Sequence, residues 1–286
     1  MIELISVVVL GVILICLLFV VIVKTILLGR PRSSKTQTVR STPLDQVPTL
    51  FLPGYLGNRF SFGFLQNRLV SKFNANKSMV IIVNRHGKLR VIGQMNDYRT
   101  MIQVLFKDKT SRPKQQAIWL LKICQLLEAE YHVSSVNLVG HSMGCITIFW
   151  YLTHEQAKSP ISVKRVVAIA GPFNDSEIAR STPDVDAYPF NANGPVKRMP
   201  IYRALSQKIA AIPPEISVLN IAGKINDEQQ NDGQVSLNSA FSLRYLLQQP
   251  AHYYREVVIR GKWATHRLLH ENRLVDANIA KFIWGV

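Results

Sequence analysis

The segment VNLVGHSMGCITIFW, residues 136–150, constrains the fold more than any other part of the sequence. An apolar run of strand type leads into the pattern G-x-S-x-G, and an apolar run of helical type follows at once. This order predicts a strand–turn–helix elbow that holds Ser142 in a strained conformation at a helix N-terminus. Gly140 and Gly144 fit the elbow, because side chains there would collide with neighbouring backbone. An ordinary strand-to-helix turn is the alternative.

Strand and helix patterns alternate along the chain after residue 47. The predicted strands cover 48–54, 78–93 (two strands joined by an RHGK turn), 100–106, 136–140, 163–172, 216–223 and 253–261. The predicted helices cover 59–73, 114–132, 145–154, 235–248 and 270–283. This alternation predicts an α/β fold with a mainly parallel sheet flanked by helices. Residues 174–215, rich in Pro, Asn and Asp, are predicted to be a cap insertion over the sheet.

A serine hydroxyl is a poor nucleophile unless a base, usually a histidine held by a carboxylate, takes its proton. In the elbow architecture the acid follows the serine along the chain and the histidine follows the acid. Asp227, Glu228 and Asp232 compete for the role of the acid after strand 216–223. Asp232 is preferred, because its N-D-G turn before a helix can aim a carboxylate inward. The other two are predicted to be turn and N-cap residues.

Two histidines, His266 and His270, follow the last predicted strand. His266 is preferred as the base because it lies nearer the strand end, whereas His270 is predicted to begin the next helix. A zinc pair four residues apart is conceivable, but no Glu lies between the two histidines as in HExxH. The predicted catalytic residues are therefore Ser142, Asp232 and His266, with no metal and no organic cofactor.

Acyl transfer also needs hydrogen-bond donors for the developing oxyanion. The backbone N–H of Met143, directly after the serine, is one predicted donor. The other is predicted in the loop LPGYLGN after the first strand, where Gly54 permits a tight turn and the N–H of Tyr55 can point into the site.

Residues 4–23 form a twenty-residue run without a charge. A helix of that length, at about 1.5 Å per residue, spans about 30 Å, which is the hydrocarbon thickness of a bilayer. The preceding residues carry Glu3 and no Lys or Arg, and no small-x-small site follows, so a cleaved signal peptide is disfavoured. The sequence predicts a transmembrane anchor over 1–29, a tether over 30–47 and a folded domain over 48–286.

The chain has a net charge of +16, which favours anionic partners such as lipid headgroups or acidic wall polymers. It has no nucleic-acid motif, and no nucleic-acid partner is predicted. The three cysteines have no metal-ligand spacing, which argues against a disulfide framework and a zinc site. The basic residues after the span favour a cytoplasmic domain, although long domains can be translocated despite such charges.

Several blocks of sequence resemble, in the right order, the DUF915 group of α/β-hydrolases from Gram-positive bacteria. These blocks are FLPGYLGN, NLVGHSMGCITIFWYL, AIAGPFND, NIAG…NDGQVSLNSA and THRLLHEN…FIWGV. The resemblance covers about residues 47–286 and implies the α/β-hydrolase fold, a cell-surface location and a triad that maps onto the three residues named above. Pro53, Cys145 and Arg267 depart from the His, Gly and Ser that are usual in the group.

The sequence thus predicts a membrane-anchored serine hydrolase that acts on a small-molecule or lipid carboxylic ester, with its domain outside the cytoplasm. Thioesterase, amidase and acyltransferase chemistry use the same triad and stay open. The alternative is a catalytically inactive module of the same fold that binds anionic membrane or cell-wall polymers.

Overall fold

The computed structural model of the chain describes residues 2–34, 41–175, 189–248 and 253–286. The strands are β1 (Thr49–Leu52), β2 (Asn76–Val83), β3 (Leu89–Gly93), β4 (Thr100–Phe106), β5 (Ser135–His141), β6 (Ser162–Ile169), β7 (Phe190–Asn191), β8 (Gly194–Pro195), β9 (Ser217–Lys224) and β10 (Tyr254–Arg260). The α-helices are α1 (Ile2–Leu27), α2 (Arg59–Phe73), α3 (Pro113–Tyr131), α4 (Met143–His154), α5 (Pro200–Ser206), α6 (Leu237–Phe241), α7 (Leu243–Leu246) and α8 (Arg273–Trp284).

Eight strands form one sheet in the order β3-β2-β4-β1-β5-β6-β9-β10. Every neighbouring pair is parallel except β2 and β3, which are antiparallel at one edge. Helices cover both faces of this sheet, which is why its central strands are apolar on both faces. The predicted α/β architecture with a mainly parallel sheet is confirmed.

Two hydrophobic cores lie on opposite faces of the sheet, and β1 contributes to both. Leu50 and Leu52 belong to the core that includes α3 and α4. Phe51, between them, belongs to the core that includes α2 and α8. Successive side chains of a strand point to opposite faces, so this short buried strand ties the two layers together.

Two predicted helices differ from the observed ones. The pattern over 235–248 forms two short helices, α6 and α7, which meet at Ser242. The prediction that His270 begins the last helix is wrong, because His270 lies in a 3-10 turn, Leu269–Glu271. Helix α8 begins later because the Asn272 side chain accepts a hydrogen bond from the Leu274 N–H and caps it.

The N-terminal run forms α1, and its described side chains from Val7 to Leu27 include many exposed large apolar residues. Across the residues that the structure describes, no helix reaches both the length and the apolar character needed to cross a membrane. The predicted anchor therefore stays a prediction.

The described parts of the predicted tether, 30–34 and 41–47, contact the folded domain. The Arg32 N–H donates to the Lys77 carbonyl at 2.7 Å, and the Lys77 N–H donates to the Arg32 carbonyl at 2.9 Å. The Asp45 carboxylate forms a buried ion pair with Arg99 at 2.6 Å. Residues 35–40 lie outside the described residues.

The predicted cap, 174–215, is described only in part, because residues 176–188 lie outside the described residues. The described part includes the β7–β8 pair and α5. Ile201, Tyr202 and Leu205 of α5 are buried in the core beside α4. Helix α5 thus packs into the domain, and the cap over the sheet stays a prediction.

Candidate active site

Ser142 occupies the turn between β5 and α4 with φ 53° and ψ −126°, in a region that non-glycine residues rarely adopt. Glycine on either side lets the turn close. A Cβ atom at Gly140 would lie 2.8 Å from the Cys145 N, and one at Gly144 would lie 2.4 Å from the Leu52 carbonyl oxygen. Both contacts are with backbone, which cannot rotate away, so the elbow needs glycine at both positions.

The structure brings Ser142, His266 and Asp232 into one hydrogen-bonded line. The Ser142 Oγ lies 2.9 Å from the His266 Nε2, and the His266 Nδ1 lies 2.8 Å from the Asp232 Oδ2. All three side chains are buried. An imidazole between a hydroxyl and a carboxylate can accept the hydroxyl proton while the carboxylate stabilises the resulting imidazolium.

The N-D-G turn after β9 fixes the Asp232 carboxylate. Its Oδ1 accepts hydrogen bonds from the backbone N–H groups of Gln234 at 2.9 Å and Val235 at 2.7 Å, which leaves Oδ2 for the histidine. The backbone N–H of His266 also donates to the backbone carbonyl of Asp232 at 2.8 Å. By contrast, the Asp227 side chain is 98% exposed and pairs with Lys224, so the structure does not bring Asp227 to Ser142.

His141, next to the serine in sequence, supports the loop that carries His266. Its Nε2 lies 2.8 Å from the His266 carbonyl oxygen, so Nε2 carries the proton and donates. Burial, followed by the neighbouring His266 and His270 rings, holds the pKa of His141 well below its usual value. The ring is therefore neutral at pH 7. The sequence analysis did not predict this contact.

Arg68 of α2 braces the same loop and was missed by the sequence analysis. Its guanidinium ion-pairs with Glu271 and with Asp276 at 2.6 Å each, and it donates to the His270 carbonyl at 2.9 Å. The His270 Nδ1 lies 3.0 Å from a Glu271 carboxylate oxygen. His270 is therefore held in the wall of the site, whereas His266 points at the serine.

The loop after β1 lies against the elbow. A Cβ atom at Gly54 would lie 3.0 Å from the His141 carbonyl oxygen and 3.0 Å from the Ser142 Cβ. The N–H groups of Leu56 and Gly57 donate to the carbonyls of Lys109 and Gly54. Among the residues that the structure describes, the Tyr55 N–H has no such acceptor. Met143 is the first residue of α4, so its N–H has no intrahelical acceptor either.

An open cleft of about 550 Å³ leads to Ser142. It is lined by Gly54, Tyr55, Leu56, Gly57, Asn58, Phe60, Ser61, His141, Ser142, Gln234, His266, Arg267 and His270. No carboxylate is among these lining residues, and Arg267 adds a positive charge. Within the described part of the chain, no group of three or more His, Cys, Asp or Glu side chains is arranged to hold a metal ion.

Cys145 is the other nucleophilic side chain near the elbow. Its Sγ lies 3.4 Å from the Ile169 carbonyl oxygen, and burial raises the pKa of the thiol far above its usual value. A thiol that stays protonated does not compete with the serine as a nucleophile.

Comparisons with known proteins identify the family and the fold. A family model described as "Alpha/beta hydrolase of unknown function (DUF915)" matches residues 36–286. The crystal structure of the product of the Listeria innocua gene lin2722 has a TM-score of 0.74 at 24% identity and covers 85% of this chain and 95% of its own. A candidate cell surface hydrolase from Lactobacillus plantarum WCFS1 has a TM-score of 0.68 at 21% identity, covering 86% and 93%.

A more distant structure is the mature lipase BlEst2 of Bacillus licheniformis, with a TM-score of 0.51 at 13% identity, covering 89% of this chain and 98% of its own. No curated protein matches the chain. At these identities the structural neighbours establish a shared fold, and the family model carries the assignment of the family.

Proposed function

Because the chain belongs to the DUF915 family of α/β hydrolases, we propose that it is a serine hydrolase that cleaves carboxylic esters through Ser142, His266 and Asp232. The observation that carries the proposal is the hydrogen-bonded line from the Ser142 Oγ through the His266 ring to the Asp232 carboxylate. Buried groups in this order activate a hydroxyl that is otherwise a weak nucleophile.

In the proposed reaction, the His266 Nε2 removes the Ser142 hydroxyl proton as Oγ attacks the ester carbonyl carbon. The backbone N–H groups of Tyr55 and Met143 stabilise the oxyanion that forms, and each such donor contributes about 10²–10³ in rate. His266 then gives its proton to the departing alcohol, which leaves an acyl group on Ser142. Water attacks this acyl-enzyme with His266 again as the base, and the acid is released.

We further propose that α1 fastens the domain to a membrane. The helix has 26 residues, and its exposed side chains are mostly large and apolar, a surface that water solvates poorly. We place the domain on the outer face, in keeping with the description of the Lactobacillus plantarum neighbour. Full chain that fails to float with lipid vesicles would contradict the anchoring.

A fluorophosphonate probe, which reacts with activated serines, tests the proposed chemistry on the full chain. We expect covalent labelling of the wild type, no labelling of Ser142→Ala, and labelling of His266→Ala at least about 10²-fold slower, because the hydroxyl then lacks its base. Ser236→Ala is a control, since Ser236 caps α6 and takes no part in the proposed reaction. A folded wild type that does not label would leave the inactive binding module as the explanation of the fold.

A further inference from the structure

Three exposed apolar residues, Leu56, Phe60 and Phe64, lie at the entrance of the cleft, and we call them the mouth patch. Leu56 is 55% exposed, Phe60 38% and Phe64 43%. Leu56 and Phe60 line the cleft itself. The rings of Phe60 and Phe64 are 6.2 Å apart, one helical turn from each other on α2. Large apolar side chains grouped beside a cleft mark a contact surface rather than a solvated one.

The end of α1 is seated on the same side of α2. We call residues 28–34, which follow α1, the junction segment. Leu28 is buried, and a Cβ atom at Gly63 would lie 2.9 Å from the Leu28 Cβ. Residues 60, 63 and 64 share one helical face, since they are three and four positions apart. The apolar helix α1 therefore ends beside the mouth patch.

The junction segment is fixed to the domain at several points. The Lys77 Nζ donates to the Leu28 carbonyl at 2.5 Å, directly after the C-terminal end of α1. The Arg32 and Lys77 backbones exchange two hydrogen bonds, and the Ser34 N–H donates to the Asn76 side chain at 3.0 Å. The position of α1 relative to the cleft is set by these contacts.

Positive charge surrounds the mouth patch. Three basic side chains are exposed: Arg30 in the junction segment, Lys109, and Arg267 in the cleft wall. Lys109 lies beside the patch, because its carbonyl accepts a hydrogen bond from the Leu56 N–H. The guanidinium of Arg59 lies 5.4 Å from the centre of the Phe60 ring. Apolar side chains ringed by cations match the interface of a bilayer with anionic headgroups, where about 1 kcal/mol is gained per basic residue near the surface.

We propose that the mouth patch enters the surface of the membrane in which α1 is held, and that the cleft receives its ester from a lipid of that membrane. The inference rests on the proposed serine hydrolase for its chemistry and on the proposed anchoring of α1 for its orientation. The Ser142 Oγ bonds to the acyl carbon as the bond from that carbon to the lipid alcohol oxygen breaks, and the alcohol leaves with the proton from His266. Water then cleaves the acyl-enzyme and releases a fatty acid. Continuity with α1 favours a lipid surface over a protein partner.

Contact with the bilayer is measured without any catalysis. The full chain is reconstituted into vesicles of phosphatidylcholine and phosphatidylglycerol whose acyl chains carry bromine, which quenches tryptophan fluorescence at short range. We expect Phe64→Trp to be quenched above the wild-type background. Tyr253→Trp is the matched control, and we expect no added quenching there. Tyr253 is exposed and precedes β10, so it lies at the amino ends of the parallel strands, whereas Ser142 lies at their carboxyl ends. Equal quenching at the two positions overturns the proposal.

The substrate is tested in the same vesicles, made with unbrominated lipid and a diacylglycerol as the ester. We expect Phe64→Glu to lower hydrolysis of the lipid ester about tenfold, because a charge replaces an apolar insertion. Hydrolysis of a short water-soluble ester stays unchanged, since Phe64 does not line the cleft. Tyr253→Glu changes neither rate.

Three outcomes separate this inference from the proposed function. A chain that labels with fluorophosphonate and cleaves the soluble ester, but not the diacylglycerol, overturns the lipid substrate and keeps the serine hydrolase. If the wild type cleaves neither ester while Phe64→Trp is still quenched, the proposed serine hydrolase is wrong, and the proposed lipid substrate is wrong with it. Self-association that Phe64→Glu abolishes, without quenching by lipid, assigns the mouth patch to a second copy of the chain and overturns the proposal.

Discussion

His141 shows how a residue next to the proposed nucleophile can support the site without contacting the substrate. Its ring is buried beside two other histidines, and its one described hydrogen bond goes to the backbone of His266. Protonating this ring would place a charge in a buried site beside two other titratable rings, which costs free energy. The ring is therefore neutral while it donates its hydrogen bond to the loop that carries the proposed base.

The lowered pKa of His141 predicts how the free energy of unfolding changes with pH. In the unfolded chain this histidine binds a proton below about pH 6.5, whereas in the folded chain it does not until a much lower pH. The unfolded state thus binds more protons, so stability is full above pH 6.5 and falls as the pH drops, by up to about 1.4 kcal/mol per pH unit from this group. Urea unfolding of the full chain in detergent micelles measures this slope.

His141→Gln removes the titrating ring, and we expect a smaller loss of stability between pH 6.5 and pH 5 than in wild type. His86→Gln is the matched control, because His86 lies exposed in the β2–β3 turn and its replacement should leave the slope as it is. The same slope in all three proteins would mean that His141 is not held neutral by the fold.

At the scale of elements, the contact between the junction segment and α2 depends on a single absent side chain. Gly63 leaves room for Leu28, because a Cβ atom there would lie within 3.2 Å of the Leu28 Cβ, carbonyl oxygen and Cδ2. Lys77 completes the contact from β2, and burial lowers the pKa of this lysine to about 7. The end of α1, helix α2 and strand β2 thus meet at one small contact.

Gly63→Val should detach the junction segment without unfolding the domain. Overpacking costs about 1–3 kcal/mol, and relieving it by releasing Leu28 raises the opened population about tenfold or more. Cleavage by trypsin at the Arg32–Ser33 bond measures the opening. While the Arg32 backbone is hydrogen-bonded to Lys77, it cannot bind in the protease active site. We expect about tenfold faster cleavage there.

Gly11→Val provides the matched control for Gly63→Val, because nothing lies within 4 Å of a Cβ atom at Gly11. Its cleavage rate at Arg32 should equal that of wild type. If Gly63→Val were cleaved no faster than Gly11→Val, the packing of Leu28 on α2 would not be what protects the bond.

The elements themselves could be predicted from sequence because their signals are local. The apolar run 100–106 and the helical pattern 59–73 match β4 and α2 residue for residue. The pairing of Lys77 with Leu28 could not be predicted, since nothing near either residue distinguishes a buried lysine from an exposed one. The break at Ser242 was missed because the apolar spacing continues across it.

At the scale of the whole molecule, Arg68 connects parts of the chain that lie far apart in sequence. It joins α2 to the 3-10 turn after His266 and to α8 through Glu271 and Asp276. The Asp276 side chain is 1% exposed, and Arg68 is the main compensation for its buried charge. The helix that carries Phe60 and Phe64 of the mouth patch is thereby coupled to the loop that carries the proposed base.

Arg68→Met should lower the free energy of unfolding by about 3–5 kcal/mol, because it leaves the buried Asp276 carboxylate without a partner. Arg68→Met combined with Asp276→Leu should recover much of that loss, since neither charge then remains. Urea unfolding of the full chain in detergent micelles provides both values. A double variant as unstable as Arg68→Met alone would show that the ion pair is not the source of the effect.

The position of the candidate site could be read from chain order, but its supports could not. Asp232 and His266 follow the carboxyl ends of two predicted strands, and parallel strands bring those ends to one edge of the sheet. The bonds from Arg68 to Glu271 and Asp276 span more than two hundred residues. Only the packing of α2 against α8 brings those partners together, and no local pattern encodes that packing.

The fixed junction segment also limits how far the cleft can move away from the end of α1. A flexible tether over residues 30–47 would have a root-mean-square end-to-end distance of about 20–25 Å, and the domain could move that far from the end of α1. Pairing of Arg32 with Lys77 and burial of Leu28 remove that freedom. In the proposed membrane-bound state, the candidate site would therefore stay at a constant height and tilt above the bilayer, and it would meet new substrate by lateral diffusion in two dimensions.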